Sequence, residues 1–549
     1  MKTSNIKRHL RVFGDRLAHH VFKVFGEGVE RGDTRYESGD WQRAYRAYRT
    51  HLFSHPFDEK VWLRAADCAV HMGDLKGELF CLRQLLRQES DDAVMLVALG
   101  RRYARRNYLL TARACLARAR RIDATIPFET FEREMVLGLA VESGRRLLLD
   151  VTDMFAFFRT NVRRTGMQRV QAEILTSLIE RNVEGDIAFV FFSDAERQYK
   201  VARTLLACEL VDASNSDGVT IEHLGAILGQ IFGGAETLKC RSGDFYLVLG
   251  AFWFGKDYLS RLNDLRHDGA LVGINFFDLI PYTNPEYVDV ATQRDFTEKL
   301  EEALASIDYA CTNSTFVANE LRTLLASLAR KDVPVAAIPL AHDIPASGGE
   351  QPVSEVFLQS LPQEYVLCVG TIEPRKNHAL LLEVWKRLYD RYGEKAPSLL
   401  IIGKWGWRIE SFRENLAAAN NVHGKIVVLE GLSDSELQYL YRHCLFTVFP
   451  SFAEGWGLPV GESLYFGKPC LASNSSSIPE VGGDLVRYFD PKNVDEAYRV
   501  IDATLSDRQD LAAWTEDVRR RFKSRSWDEV TDDFMDKVFT LSSAVTPAQ

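Results

Sequence analysis

Two glutamates separated by seven residues, Glu454 and Glu462, flank a glycine-rich turn. The stretch 445–469 begins as an apolar, β-rich run ending at Phe449 and Pro450. It continues through Gly455, Trp456, Gly457 and Leu458, and then meets Pro459. Proline suits the first turn of a helix, where the N–H it lacks would have no partner. Gly467 is a natural helix stop. The spacing therefore predicts strand, glycine loop and short helix, with Glu454 in the loop and Glu462 about one turn into the helix. Backbone at Gly455 and Gly457 can approach a ligand closely. The N–H groups at the helix start favour an anion such as a diphosphate, and the two carboxylates just beyond them can accept the hydroxyls of a sugar nucleotide. An ordinary βα turn with two solvated glutamates is the alternative for any lone glycine loop. Acids, glycines and helix signals coincide here, and that favours a site.

A diphosphate that leaves during transfer gathers negative charge, and something positive must meet it. No Asp-x-Asp pair that could hold a divalent metal occurs in the chain. Arg375 and Lys376 instead follow Gly370 and Thr371 just past a predicted strand end, the place where an α/β crevice receives phosphates. A guanidinium grips two oxygens at once and lysine supplies a compact charge. A solvated basic turn is the alternative. Arg375 and Lys376 are thus the expected partners of that charge, with no metal and no cofactor besides the donor.

The elements that must position these residues fall into three regions. At 549 residues with 46% hydrophobic content, the chain has material for several cores. A net charge of −9 without a long basic tract argues against nucleic acid. Nine scattered cysteines without a CxxC pair read as reduced, buried thiols of a cytoplasmic protein. No apolar run approaches the roughly 18 residues of a membrane span. Residues 1–29 carry Leu10, Phe13, Leu17, Val21 and Phe25 on one helical face among basic residues. Such a face packs on neighbouring helices, with peripheral contact to a membrane as the minority option. Over 30–143, Gly39-Asp40-Trp41, Gly73-Asp74-Leu75 and Asn107-Tyr108-Leu109 recur every 34 residues. Ala44 and Ala112 follow the same period, as do Tyr48, Leu82 and Leu116; Glu78 breaks the small-residue slot. Such stacks often present a surface to a protein partner; a helical cap that only stabilises its neighbour is the alternative.

From 144 to 344, strand signals at 147–151, 186–192, 245–249 and 270–276 alternate with helical patterns. A Pro- and Gly-rich linker is expected at 345–362. From 363 to 549, strands at 365–369, 398–402, 426–429, 445–449 and 469–472 again alternate with helices, and a helix ends the chain around 526–539.

The Glu454–Glu462 segment resembles the acidic signature of retaining glycosyltransferases of family 4. Residues 365–377 are similar to that family's first C-terminal strand and phosphate loop, and 477–484 to its next βα connection. The segment from Arg164 to Val170 looks like its N-terminal glycine loop, around Gly166. The repeats resemble the tetratricopeptide family. The resemblance implies α/β GT-B architecture, two Rossmann-like domains facing across a cleft and preceded by an all-α helical repeat domain. It places the nucleotide-sugar on the C-terminal domain, with Glu454 beside the donor sugar and Glu462 on the ribose hydroxyls, and makes Glu454, Lys376 and Arg375 the expected catalytic groups. Gly455, Trp456, Gly457 and Leu458 would contact the donor, with Gly370 and Thr371 at the phosphates and Leu432 bordering the base. Cys311-Thr312-Asn313-Ser314 resembles the family's strand end before a helix bordering the cleft, and Asp278 and Ser314 would line the acceptor side. Phe277 stands where many relatives carry a histidine, so the role of that imidazole does not transfer. His342 and Asp343 are read as lying near the hinge, with a structural histidine preferred. The implied reaction moves a mannose- or rhamnose-like hexose, GDP-mannose being the expected donor, to a surface-polysaccharide or lipid-linked acceptor. A protein acceptor recruited by the repeats is the alternative, and an inactive adaptor a weaker one. A dinucleotide enzyme is rejected, because Val460 stands where the third glycine of Gly-x-Gly-x-x-Gly belongs.

Overall fold

A computed structural model describes residues 28–55, 58–72, 74–86, 92–105, 115, 119, 122–123, 146–162, 164–180, 187–214, 219–254, 257–343 and 353–544. The apolar stripe from Leu10 to Phe25, the 107–109 turn, Ala112 and Leu116 lie outside these residues. The chain divides into a helical unit, residues 1–140 with 179–182, and an α/β unit comprising 141–178 and 183–549.

In the helical unit, helix Gly28–Glu37 is followed by Trp41–Ser54, Glu59–His71, Leu75–Leu86 and Ala93–Arg105, the latter four each entered through a capping aspartate. Asp40, Asp58 and Asp74 each accept from the backbone N–H three residues on, which satisfies an otherwise orphaned donor. Ala44, Tyr48, Leu82, Trp62 and Leu96 are buried, and so is Glu78. A Cβ on Gly32 would sit 2.5 Å from the Tyr48 ring, so a bare backbone is needed where the first two helices cross.

The α/β unit holds two sheets. The first has eight strands: β1 (Leu147–Asp150), β2 (Ile187–Ser193), β3 (Gln198–Val201), β4 (Glu236–Thr237), β5 (Phe245–Val248), β6 (Leu271–Phe276), β7 (Tyr309–Thr312) and β8 (Val335–Ala337). Their order is β4-β3-β2-β1-β5-β6-β7-β8, parallel except at the β3 pairings. The second has six parallel strands: β9 (Tyr365–Val369), β10 (Ser398–Ile402), β11 (Ile426–Leu429), β12 (Thr447–Phe449), β13 (Cys470–Ser473) and β14 (Arg487–Phe489). Their order is β11-β10-β9-β12-β13-β14. Continuous apolar runs such as Leu147-Leu148-Leu149 suit parallel strands covered on both faces. The strand order reverses between β9 and β12 and between β1 and β5, so each sheet has a crevice at the carboxyl ends of those strands. This is the two-domain α/β architecture expected above.

Of the expected linker, residues 344–352 lie outside the described ones, while Glu355–Ser360 form a short helix capped by Ser354. The final helix, Trp527–Ala544, buries Val530, Phe534 and Val538 and packs on β7 and β8, with Lys537 Nζ donating to the Ala337 carbonyl at 2.5 Å. The segment leading into it is clasped at His342. The His342 N–H donates to the Arg525 carbonyl and the Arg525 N–H to His342 Nδ1, both at 3.0 Å. Burial, aided by the Arg525 charge, takes the His342 pKa down to about 4, as befits a neutral structural imidazole.

Candidate active site

The loops after β9 and β12 meet at the crevice of the second sheet. After β9, Pro374–Lys376 form a 3₁₀ turn ended by Asn377 in the left-handed region, at φ 57°. Asn377 Nδ2 donates to the carbonyls of Pro450 and Pro491, which ties this turn to the β12 loop and aims Arg375 and Lys376 into the crevice. After β12, helix Leu458–Tyr465 opens with Pro459 in its first turn, and Gly457 enters it at φ 115°, a conformation that favours glycine.

Glu454 lies between the two cations. Arg375 Nη1 reaches Glu454 Oε2 at 2.5 Å and the Ala453 carbonyl at 2.9 Å, while Nη2 reaches Glu373 Oε1 at 2.6 Å. Lys376 Nζ reaches Glu454 Oε1 at 2.6 Å and lies 5.0 Å from the Phe449 ring centroid. Burial pushes the Glu454 carboxyl up, but the Arg375 and Lys376 charges outweigh it and bring the pKa down to about 2. The loop itself is fixed from behind: Ser477 Oγ donates to the carbonyls of Glu454 and Trp456, and the Glu454 N–H donates to Ser476 Oγ. The cluster is an internally neutral set, two cations against Glu373 and Glu454. An anion that binds there has to compete with Glu454.

Glu462 has other partners. Tyr441 Oη donates to its Oε2 at 2.7 Å, and Arg169 Nη1 donates to its Oε1 at 2.6 Å. Arg169 comes from helix Gly166–Glu180 beside the first sheet, 293 residues away in sequence. A Cβ on Gly166 would lie 3.9 Å from Leu458 Cδ1, so the two glycine loops face each other. Neither Arg169 nor Tyr441 nor Glu373 was singled out from the sequence. Arg169 falls inside the Arg164–Val170 segment noted for its resemblance, and a cation in the first turn of a helix, where the dipole disfavours it, is a further signal.

Gly455 has no room for a side chain, since a Cβ would sit 2.0 Å from the Phe277 carbonyl oxygen. The close approach at this glycine is therefore to the chain's own backbone, after β6 of the first sheet. Gly455→Ala is expected to force these loops apart and to lower both melting temperature and activity. An unchanged melting curve would count against that packing. Asp278, next to Phe277, accepts from the Ile280 N–H at 3.0 Å. Burial raises its pKa and Arg375 opposes this. Burial and then Asp278 push the half-buried Glu320 up to about 7. Ser314 is fully buried, and its hydroxyl caps helix Thr315–Ser327 by accepting from the Val317 N–H. Glu480 of the second sheet's domain accepts from the N–H groups of Thr315 and Phe316, at 2.8 and 2.6 Å. Tyr287 stacks on Phe452, with ring centroids 5.1 Å apart. Two further expected positions have packing contacts. Thr371 lies beside Gly406, and Leu432 packs on the core around Tyr365 and Leu367.

Residues 354–521 match the family described as glycosyl transferases group 1. The O-antigen chain mannosyltransferase B of Escherichia coli is 33% identical over 261 residues, 47% of this chain and 67% of that one. The chain belongs to the glycosyl transferases of group 1. The serotype-specific mannosyltransferase WbdA of Escherichia coli is 25% identical to this group 1 chain over 357 residues, 63% of it but only 39% of WbdA. The sucrose-phosphate synthase of Thermosynechococcus elongatus superposes with a TM-score of 0.49 at 16% identity, over 73% of this chain and all of that one. The match at residues 354–521 contains every part of the Arg375–Lys376–Glu454 cluster and Glu462, whereas Arg169 lies outside it.

Proposed function

We propose that this chain is a retaining glycosyltransferase of family 4 that moves a mannose- or rhamnose-like hexose from a nucleotide-sugar to a hydroxyl of a surface-polysaccharide or lipid-linked acceptor. The observation that carries the reading is the Arg375–Lys376–Glu454 cluster at the strand-order reversal, with Glu462 one helical turn beyond it. The names of the relatives, mannosyltransferases of O-antigen or serotype type, support the choice of sugar and acceptor. In this reading the donor diphosphate takes Arg375 and Lys376, and the released Glu454 turns to the sugar. Glu462 accepts the ribose hydroxyls. The bond from the anomeric carbon to the phosphate oxygen breaks, the bond to the acceptor oxygen forms on the same face, and the leaving phosphate takes the acceptor proton. Two cations poised on the diphosphate supply the charge for this, so no metal is required. We read the helical unit as tetratricopeptide-like.

A panel of nucleotide-sugars, scored by thermal shift and by donor hydrolysis, tests the reading. A ligand at 100 times its dissociation constant stabilises the folded state by about 2.7 kcal/mol. GDP-mannose is expected to give the largest shift, and its hydrolysis is expected to survive EDTA. Activity lost with EDTA and restored by magnesium or manganese would remove the metal-independent mechanism. A shift with UDP-sugars alone would replace the base.

A further inference from the structure

Glu462 has no open face. One carboxylate oxygen accepts from Tyr441, which is fully buried in the core of its own domain, and the other accepts from Arg169; the side chain is 4% exposed. Of the two partners only Arg169 borders solvent, at 21% side-chain exposure. A hydroxyl that reaches Glu462 must therefore enter where the guanidinium now lies.

The guanidinium has a second place to go. Its other terminal nitrogen, Nη2, already donates to the Asp343 backbone carbonyl at 2.9 Å. The side-chain Oδ1 of Asp343 is buried without a hydrogen-bond partner. A buried carboxylate oxygen left unpaired is costly, and a neighbouring guanidinium relieves that cost at once. Asp528 and Glu529 add negative charge around Asp343. Glu173, one turn along the helix from Arg169, is also within its electrostatic reach.

We propose that Arg169 is a positioning residue that occupies Glu462 in the empty site and passes to the Asp343 carboxylate when the donor ribose takes Glu462. The inference rests on the donor-site reading above. It adds a competitor for Glu462 from the opposite domain and names the group that receives it. Ribose binding then carries the cost of displacing Arg169, because apparent affinity falls by the fraction of molecules whose site is competent. A phosphate group at Arg375 and Lys376 has no such cost, since it does not use Glu462.

Substitutions at Arg169 and at Asp343 make opposite predictions. In the full-length chain, Arg169→Gln is expected to tighten GDP about tenfold, since it removes the competitor. Asp343→Asn keeps the backbone carbonyl but offers a poorer place to the displaced guanidinium, so it is expected to weaken GDP by a similar factor. Pyrophosphate, which lacks a ribose, is expected to bind both variants as it binds the native chain. UDP serves as a second nucleotide probe, and melting curves confirm folding. Weaker binding of both GDP and pyrophosphate to Arg169→Gln would show that Arg169 grips phosphate, and would overturn the proposal. Unchanged nucleotide affinity in both folded variants would overturn it as well. A native chain that binds pyrophosphate but neither GDP nor UDP would instead remove the ribose role of Glu462, and with it the donor-site reading itself.

Discussion

Lys376→Ala and Glu454→Gln are expected to lower turnover by about 10²–10³, the usual effect of losing one preorganised charged contact, while the protein stays folded. The two variants should differ in how they bind the donor. Lys376→Ala removes a cation from the proposed diphosphate position and leaves Glu454 paired to Arg375 alone, so nucleoside diphosphates should bind more weakly. Glu454→Gln removes the carboxylate that occupies both cations in the empty site. It should bind nucleoside diphosphates at least as well as the native chain and still turn over slowly. Steady-state kinetics with parallel melting curves separate these effects. Native turnover in both folded variants would reduce the cluster to a structural ion pair.

His378→Phe is expected to become increasingly more stable than the native chain as the solution is acidified from pH 6.5 to 4. His378 opens the helix after Lys376 and is 3% exposed, and neither ring nitrogen has a hydrogen-bond partner. Burial, with a further push from Lys376, takes its pKa down to about 3. Below pH 6.5 the unfolded histidine takes up a proton that the folded one refuses, so the native chain loses stability down to the folded value. Each pH unit in that window costs up to about 1.4 kcal/mol, so the variant's relative gain by pH 4 is on the order of 3 kcal/mol. Removing two buried, unpaired nitrogens should also help at neutral pH. His342, down to about 4, loses stability in the same direction. Glu454, down to about 2, adds a loss below its ordinary value of 4.5. Glu320, raised to about 7, acts oppositely, because its folded form takes up a proton before the unfolded one does. The native slope is therefore a sum of opposing contributions, and the difference between His378→Phe and the native chain isolates one of them. Parallel melting temperatures from pH 7 to 4 would show that His378 titrates normally.

Local signals in the sequence located most of the framework. Strands β9, β10 and β11 coincide with their apolar runs residue for residue, and helix Leu458–Tyr465 has Pro459 in its first turn and ends before Gly467. β3, β4, β8 and β14 went unseen. Each has two to four residues, too few to show a period, and Gln198–Val201 alternates polar and apolar as an antiparallel strand does. Ser314 was placed at a strand end followed by a helix, which is where it lies, but its hydroxyl proved to be committed to the helix cap.

By itself the sequence determined which residues could do chemistry and the local backbone that carries them. Glycine conformations, proline at a helix start and apolar periodicity act within a few residues, where spacing is geometry. Only the tertiary structure decided the partners. Glu454 meets Arg375 and Lys376 because β9 and β12 are neighbours in the sheet, although 79 and 78 residues separate them along the chain. Glu462 meets Arg169 because two domains face each other, and Gly455 presses on the Phe277 carbonyl for the same reason. Charge pairing falls off with distance through space and takes no account of distance along the chain. A carboxylate's role is therefore settled by whichever cation the fold brings within reach.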